Sequence, residues 1–172
     1  ILHEAGGYCP PSLTAALIAG YAGERSYDLI LCGVMAEDDM QCQVGPLIAA
    51  RLGLPCAVSV VNEAIGPDRK TVTVECELEG GINERIELPL PCLLAIQSGI
   101  NRPRYPSLSN VLRAKEQKLV TIPADPGLLT QAPEKPVTVT YPEKGSTGVV
   151  ISGTREEKAE QLLAILHERS LL

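Results

Sequence analysis

Apolar residues cluster in runs whose spacing changes along the chain. LILCG at residues 29–33 is a short continuous run, the pattern of a strand buried on both faces of a parallel sheet. VGPLIAARLG then predicts a helix over about 44–52. Pro46 falls in its first turn, where a missing N–H costs nothing, and Gly53 closes its end. CAVSVV, from Cys56, reads as the next strand. Upstream, Ser12 is placed to cap a helix to about Arg25, with Leu13, Ala16, Leu17, Gly20 and Tyr21 on one face. ILHEA at residues 1–5 reads as the end of a still earlier strand, so the start of the domain is expected to lie outside the sequence. Strand, helix, strand, helix, strand in that order predicts a parallel sheet.

After Lys70 the period drops to two. Val72, Val74, Cys76 and Leu78 alternate with polar residues, as do Ile86, Leu88 and Leu90. This predicts an antiparallel hairpin with one solvated face, turning at Gly80 and Gly81. CLLAIQ returns as a buried strand, SGINRPRYPS is a loop, and Ser107 is placed to cap a helix to about Lys115. Residues 123–148 are rich in Pro, Gly, Thr and Glu with little periodicity, and read as an extended arm. In the final helix Thr154 and Glu157 form a capping box, and Ala159, Leu162, Leu163 and Leu166 a stripe. The expected architecture is α/β: a doubly wound, mostly parallel sheet with an antiparallel hairpin and an extended C-terminal arm. The domain is expected over residues 1–118, and the arm with its terminal helix, contacting a partner, over 119–172.

Composition narrows the function classes. A net charge of −6 with scattered basic residues and no aromatics but five Tyr argues against a nucleic-acid surface. No run approaches the ~18 apolar residues of a membrane span. The six cysteines form no C-x-x-C pair and the two histidines stand at opposite ends, so metal-ligand spacing is absent. Cys32, Cys56 and Cys92 sit in or beside apolar strands as small hydrophobes, which predicts reduced thiols and a cytoplasmic compartment. No nucleophile or acid–base pair stands out.

In an open α/β sheet, ligands sit beyond the carboxyl ends of the strands, where the loop over residues 33–45 falls. Backbone N–H groups of Gln43, Val44 and Gly45 at the helix start are suited to a phosphate, with Gly45 permitting close approach. Asp38 and Asp39 would serve ribose hydroxyls, or alternatively cap turns and face water.

LILCGVMAEDDMQCQVGPLIAARLGLP resembles the nucleotide-binding loop of electron transfer flavoprotein beta subunits, G-x-x-A-x-D followed by Q-[VT]-G into a helix. Gly33, Ala36, Asp38, Gln43 and Gly45 match. VECELEGGINERIELPLPCLLA is similar to that family's hairpin signature, and NRPRYPSLSNVLRAKEQK to its N-x-P-R-Y segment and the basic helix after it. The chain departs from the pattern at Cys76 and Val34, where a basic residue is usual, and in the DDMQCQVG middle of the loop.

The resemblance implies an adenine nucleotide alpha hydrolase-like fold and a heterodimer with an alpha subunit. It also implies an FAD held mainly by alpha, which passes electrons between dehydrogenases and a membrane quinone reductase or other acceptor. AMP or a second FAD would occupy the beta subunit, held by Gly33, Ala36, Asp38, Asp39, Cys42, Gln43, Val44 and Gly45. Ile100, Asn101, Arg104 and Tyr105 would dock partner dehydrogenases. No catalytic residue and no metal is implied. Two other readings remain open: an ATP-using enzyme of the same fold group, and a nucleotide-free scaffold.

Overall fold

The computed structural model describes residues 9–129, 134, 137, 138, 140, 141 and 148–171. The N-terminal strand expected at residues 1–5 lies outside them, as does half of the extended stretch expected at residues 123–148. The chain divides into two compact units, residues 1–136 and 137–172.

In the first unit, helix α1 (Pro11–Gly23) precedes strand β1 (Leu29–Gly33), helix α2 (Val44–Leu52) and strand β2 (Cys56–Ile65). Strands β3 (Thr71–Glu77), β4 (Asn83–Pro89) and β5 (Cys92–Ile96) follow, then helices α3 (Leu108–Glu116) and α4 (Pro126–Leu129). One five-stranded mixed sheet runs β1-β5-β2-β3-β4. β5 pairs in parallel with both β1 and β2, while β3 is antiparallel to β2 and β4, so four of the five strands share one direction.

α1 starts otherwise than its sequence predicts. Pro10 is the extended cap residue (φ −67°, ψ 156°) and Pro11 opens the helix, where a fixed φ suits the first turn. Ser12 therefore lies inside the helix and caps nothing; its hydroxyl donates to the Glu134 carboxylate. The buried face also differs. Leu13 and Ala16 are buried as expected, but Ser12, Ala15, Ala19 and Ala22 are buried too, while Leu17 and Tyr21 are half-buried and Gly20 is exposed; the small alanines let α2 come close. Ala15 and Ala19 pack with Ile48 and Ala49 of α2 and with Leu93 of β5.

α2 has the expected bounds, and Gly53 ends it in the left-handed region (φ 66°), accommodated at no cost without a Cβ. The expectation that β1 is buried on both faces fails. β1 pairs only with β5 and forms the sheet edge among the described residues, leaving Leu31 58% exposed. The strand buried on both faces is β5: Leu93 faces the helices, while Cys92 and Leu94 join Val60, Val72 and Val74 on the opposite side. No described helix joins that second cluster.

The hairpin follows its alternation. Val72 opposes Leu88 and Val74 opposes Ile86, with Val72, Val74 and Cys76 buried. Gly80 and Gly81 make the turn at φ 79° and 75°, values that disfavour any side chain. Ser107 caps α3, accepting from the Asn110 N–H at 3.4 Å.

In the second unit, helix α5 (Arg155–Glu168) carries the predicted capping box. Thr154 N–H donates to Glu157 Oε2 at 2.8 Å and Glu157 N–H to Thr154 Oγ1 at 3.3 Å.

Candidate functional site

The parallel pair β1–β5 ends at Gly33 and Ile96, and Val34 N–H extends the pairing by donating to Ile96 O at 3.0 Å. Beyond these carboxyl ends the chain folds into a compact loop before α2. Met40 N–H donates to Ala36 O at 3.0 Å, closing one turn, and Gln41 N–H donates to Asp39 Oδ1 at 3.1 Å, closing another. Met40 and Cys42 both adopt φ 54°, so the loop holds two non-glycine residues in the left-handed region.

The loop, β1 and α1 enclose a cleft of about 290 Å³. Of the residues expected at the site, Gly33, Ala36, Asp39, Cys42, Gln43, Val44 and Gly45 line it. Asp38 does not line it and is exposed. An adjoining cleft of about 560 Å³ shares Cys32, Gly33, Val34 and Met35 and extends over Leu31, Ile96, Gln97 and Ser98.

The start of α2 opens on the first cleft. Leu47 N–H makes the first helical bond, to Gln43 O at 3.0 Å. The N–H groups of Val44 and Gly45 thus have no intrahelical acceptor, as at any helix start, and Pro46 has none to offer. Asp39 is the single charged residue in the lining. An anion here would be held by backbone donors and the helix dipole, not by a lysine or arginine.

Gly45 is required by packing. A Cβ there would lie 2.7 Å from Cys32 Sγ, and 3.5 Å from both Ala95 Cβ and Leu93 Cδ2. The missing side chain lets the first turn of α2 seat on β1 and β5, which sets the depth of the cleft.

Sequence reasoning missed Thr14 in the first turn of α1, and the end of β5. Thr14 Oγ1 lies 3.3 Å from Cys9 Sγ. No spacing signal links Thr14 to a loop twenty residues on. The end of β5 could have been found from the rule that neighbouring parallel strands share a carboxyl edge.

The other expected site is in two parts. Ile100 is half-buried and packs against the cluster of Val72, Val74, Cys92 and Leu94. Asn101, Arg104 and Tyr105 are exposed, Tyr105 fully so.

All six cysteines carry free thiols. Burial pushes the thiol pKa of Cys32 and Cys92 up, with Cys56 adding to both; burial alone raises Cys56. Cys76 is raised by burial and then by the Glu84 carboxylate. These four remain protonated packing groups at neutral pH.

Residues 4–126 match the electron transfer flavoprotein domain. The chain is similar to the electron transfer flavoprotein subunit beta of Bacillus subtilis (strain 168), 32% identical over 155 residues. That match covers 87% of this chain and 59% of the relative, so the chain spans about three fifths of the relative's length. Strand–loop–helix geometry, hairpin and sequence agree: the chain belongs to the electron transfer flavoprotein beta-subunit family.

Proposed function

We propose that this chain acts as the beta subunit of an electron transfer flavoprotein, in a heterodimer with an alpha subunit that holds FAD. The heterodimer carries electrons between cytoplasmic dehydrogenases and a quinone-reductase-type acceptor. The observation that carries this reading is the cleft at the carboxyl ends of β1 and β5, opened upon by the start of α2.

The lining fits an adenine nucleotide, AMP or a second FAD, in an adenine nucleotide alpha hydrolase-like fold. The Val44 and Gly45 N–H groups would take phosphate oxygens, and Asp39 and the Thr14 hydroxyl would meet sugar hydroxyls. Gly33, Ala36, Cys42 and Gln43 would complete the wall, while Asp38 would shape the loop from outside it. The first cleft stands near the lower end of the ~300–1,000 Å³ common for ligand sites, and the adjoining one leaves room for a longer ligand. Flavin supplies the redox chemistry when bound; this chain would contribute binding, orientation and exclusion of water.

Docking of dehydrogenases is assigned to Ile100, Asn101, Arg104 and Tyr105. Tyr105 and Arg104 offer exposed contact area, and Ile100 anchors the loop to the sheet. A division into a nucleotide domain over 1–118 and a partner-contacting arm over 119–172 belongs to the same proposal.

Reduction of the co-purified heterodimer by a dehydrogenase substrate couple, followed by reoxidation with a quinone-type acceptor, tests this function. Flavin that is reduced by the dehydrogenase and reoxidised by the acceptor supports it. A complex that carries no flavin, or whose flavin exchanges electrons with neither, contradicts it.

A further inference from the structure

Sulfur gathers at one end of the sheet. Of the six cysteines, Cys32 and Cys42 line the cleft beyond β1. Cys9 stands beside it, with Sγ 3.3 Å from Thr14 Oγ1, a side chain of the same lining. The chain's two methionines are here as well: Met35 lines this cleft and the adjoining one, and Met40 lies on the same loop. Such a set would suit a soft metal ion. Among the described residues, however, no three His, Cys, Asp or Glu side chains converge as metal ligands. What remains is the chemistry of the thiols themselves.

The two lining thiols differ in kind. Cys42 is exposed, its thiol donating to Met40 O at 3.9 Å. Cys32 is half-buried and donates to Leu94 O at 3.8 Å; burial pushes its pKa up, with Cys56 adding. Thiols that sense oxidants are accessible and stand near a second thiol that resolves them. Cys42 has the access and Cys32 the shelter. Cys32 Sγ lies against the first turn of α2, where a Cβ on Gly45 would be 2.7 Å from it. Cys42 stands three residues before Gly45 on the same run of chain. Met40 and Cys42 both hold φ 54°, a region costly for residues with side chains, so a change of loop shape relieves strain.

We propose that Cys42 and Cys32 are a redox pair that closes the cleft: a hydroperoxide converts them to a disulfide, which draws the loop onto β1 and expels the ligand. The Cys42 sulfur, as thiolate, attacks the terminal peroxide oxygen. The O–O bond breaks, the leaving oxygen takes a proton, and Cys42 becomes a sulfenic acid. The Cys32 sulfur then attacks the Cys42 sulfur and gives up its proton; the S–O bond breaks and water leaves. Two thiols and one hydrogen peroxide thus give one disulfide and two waters. The cleft holds about 290 Å³, which leaves no room for a nucleotide once a bond spans it. A dithiol reductant reopens it by thiol–disulfide exchange. The expulsion rests on the nucleotide reading of the cleft, and the thiol chemistry does not.

Peptide mapping of the purified heterodimer before and after equimolar hydrogen peroxide tests it. Trypsin releases residues 26–51 as one peptide that holds both thiols and no other cysteine. After peroxide that peptide should have lost the two thiol hydrogens, and cleavage after Glu37 should leave its halves joined until a reductant parts them. In Cys32→Ala, Cys42 should stop at the sulfenic acid and be captured by dimedone. In Cys42→Ser the peptide should keep the mass it had before peroxide. Nucleotide bound beyond the alpha flavin should be lost on oxidation, and should return when dithiothreitol is added with AMP or FAD.

An unchanged peptide, a disulfide that joins any other pair, or a Cys32–Cys42 disulfide formed with the nucleotide still bound overturns the proposal. A reduced complex that holds no nucleotide beyond the alpha flavin contradicts the reading of the cleft instead, and the redox pair then stands or falls on the peptide mass.

Discussion

Gly45→Ala, made with and without Cys32→Ala, asks why a glycine stands at the start of α2. In the native chain the new methyl would meet Cys32 Sγ at 2.7 Å, a distance at which something must shift. Its contacts with Ala95 and Leu93, at 3.5 Å, are ordinary. Overpacking of this kind costs about 1–3 kcal/mol. Alanine's better helix propensity offsets about 0.5–1 kcal/mol of it. The net loss should be about 1–2 kcal/mol, or roughly 2–8 °C in Tm for a chain of this size. Cys32→Ala alone should cost about 1 kcal/mol through the small void it leaves. In that background the obstruction is gone, so Gly45→Ala should be neutral or stabilising by up to about 1 kcal/mol. The cycle thus predicts a favourable coupling of about 2 kcal/mol, in the range for residues in contact. Thermal and urea unfolding of the four purified complexes measure it. If Gly45→Ala does equal harm in both backgrounds, contact with Cys32 is not the reason for the glycine. Close approach of a ligand would then be the better explanation.

Ile100→Ala should cost about 1–2 kcal/mol of stability, since the side chain is half-buried against the sheet. If its loop docks the dehydrogenase, reduction efficiency should also fall about tenfold at unchanged flavin content. Unchanged efficiency per flavin in steady-state assays would leave Ile100 a packing residue only. The raised thiols of Cys32, Cys56, Cys76 and Cys92 hold their protons more tightly folded than unfolded. Their contribution is complete below the unfolded value of about 8.5 and is lost as pH rises through the folded values. Urea midpoints should therefore fall over the interval above about pH 8.5, and less so in Cys92→Ala. A midpoint that rises over that interval would contradict the burial. Exposed Cys42 should react with iodoacetamide before those four, and peptide mass spectrometry after timed labelling would reveal any other order.

Local devices were legible in the sequence because each is complete within a few residues. The α2 boundaries, the Ser107 cap, the Thr154–Glu157 box and the Gly80–Gly81 turn all fall in this class. Alternation also fixed which face of β3 is buried, since a slip of one residue would turn Val72 and Val74 to solvent. Long-range placement was not legible. β5 enters between β1 and β2 although it begins 27 positions after β2 ends (Ile65 to Cys92), and nothing in LILCG marks it as an edge strand. Ser12 looked like a cap because Ser favours caps, but the preceding Pro-Pro pair had already set the helix start. At the cleft, the strand–loop–helix position was readable and Thr14 was not. Gly45 was legible as necessary, but not as a seat against Cys32.

The central claim, that the cleft beyond β1 and β5 holds an adenine nucleotide, is most directly tested by acid release and quantification of nucleotides from the co-purified heterodimer. Gly33→Val provides the matched comparison. Gly33 lines both clefts, and a Cβ there meets nothing nearer than Met35 O at 4.0 Å, so the larger side chain fills open space without disturbing β1. The wild-type complex should release one AMP or FAD per copy of this chain beyond the flavin of the alpha subunit. Gly33→Val should lose that nucleotide, keep the alpha flavin and still assemble. Release of the alpha flavin alone from the wild type, or full nucleotide retention by Gly33→Val, would contradict the account.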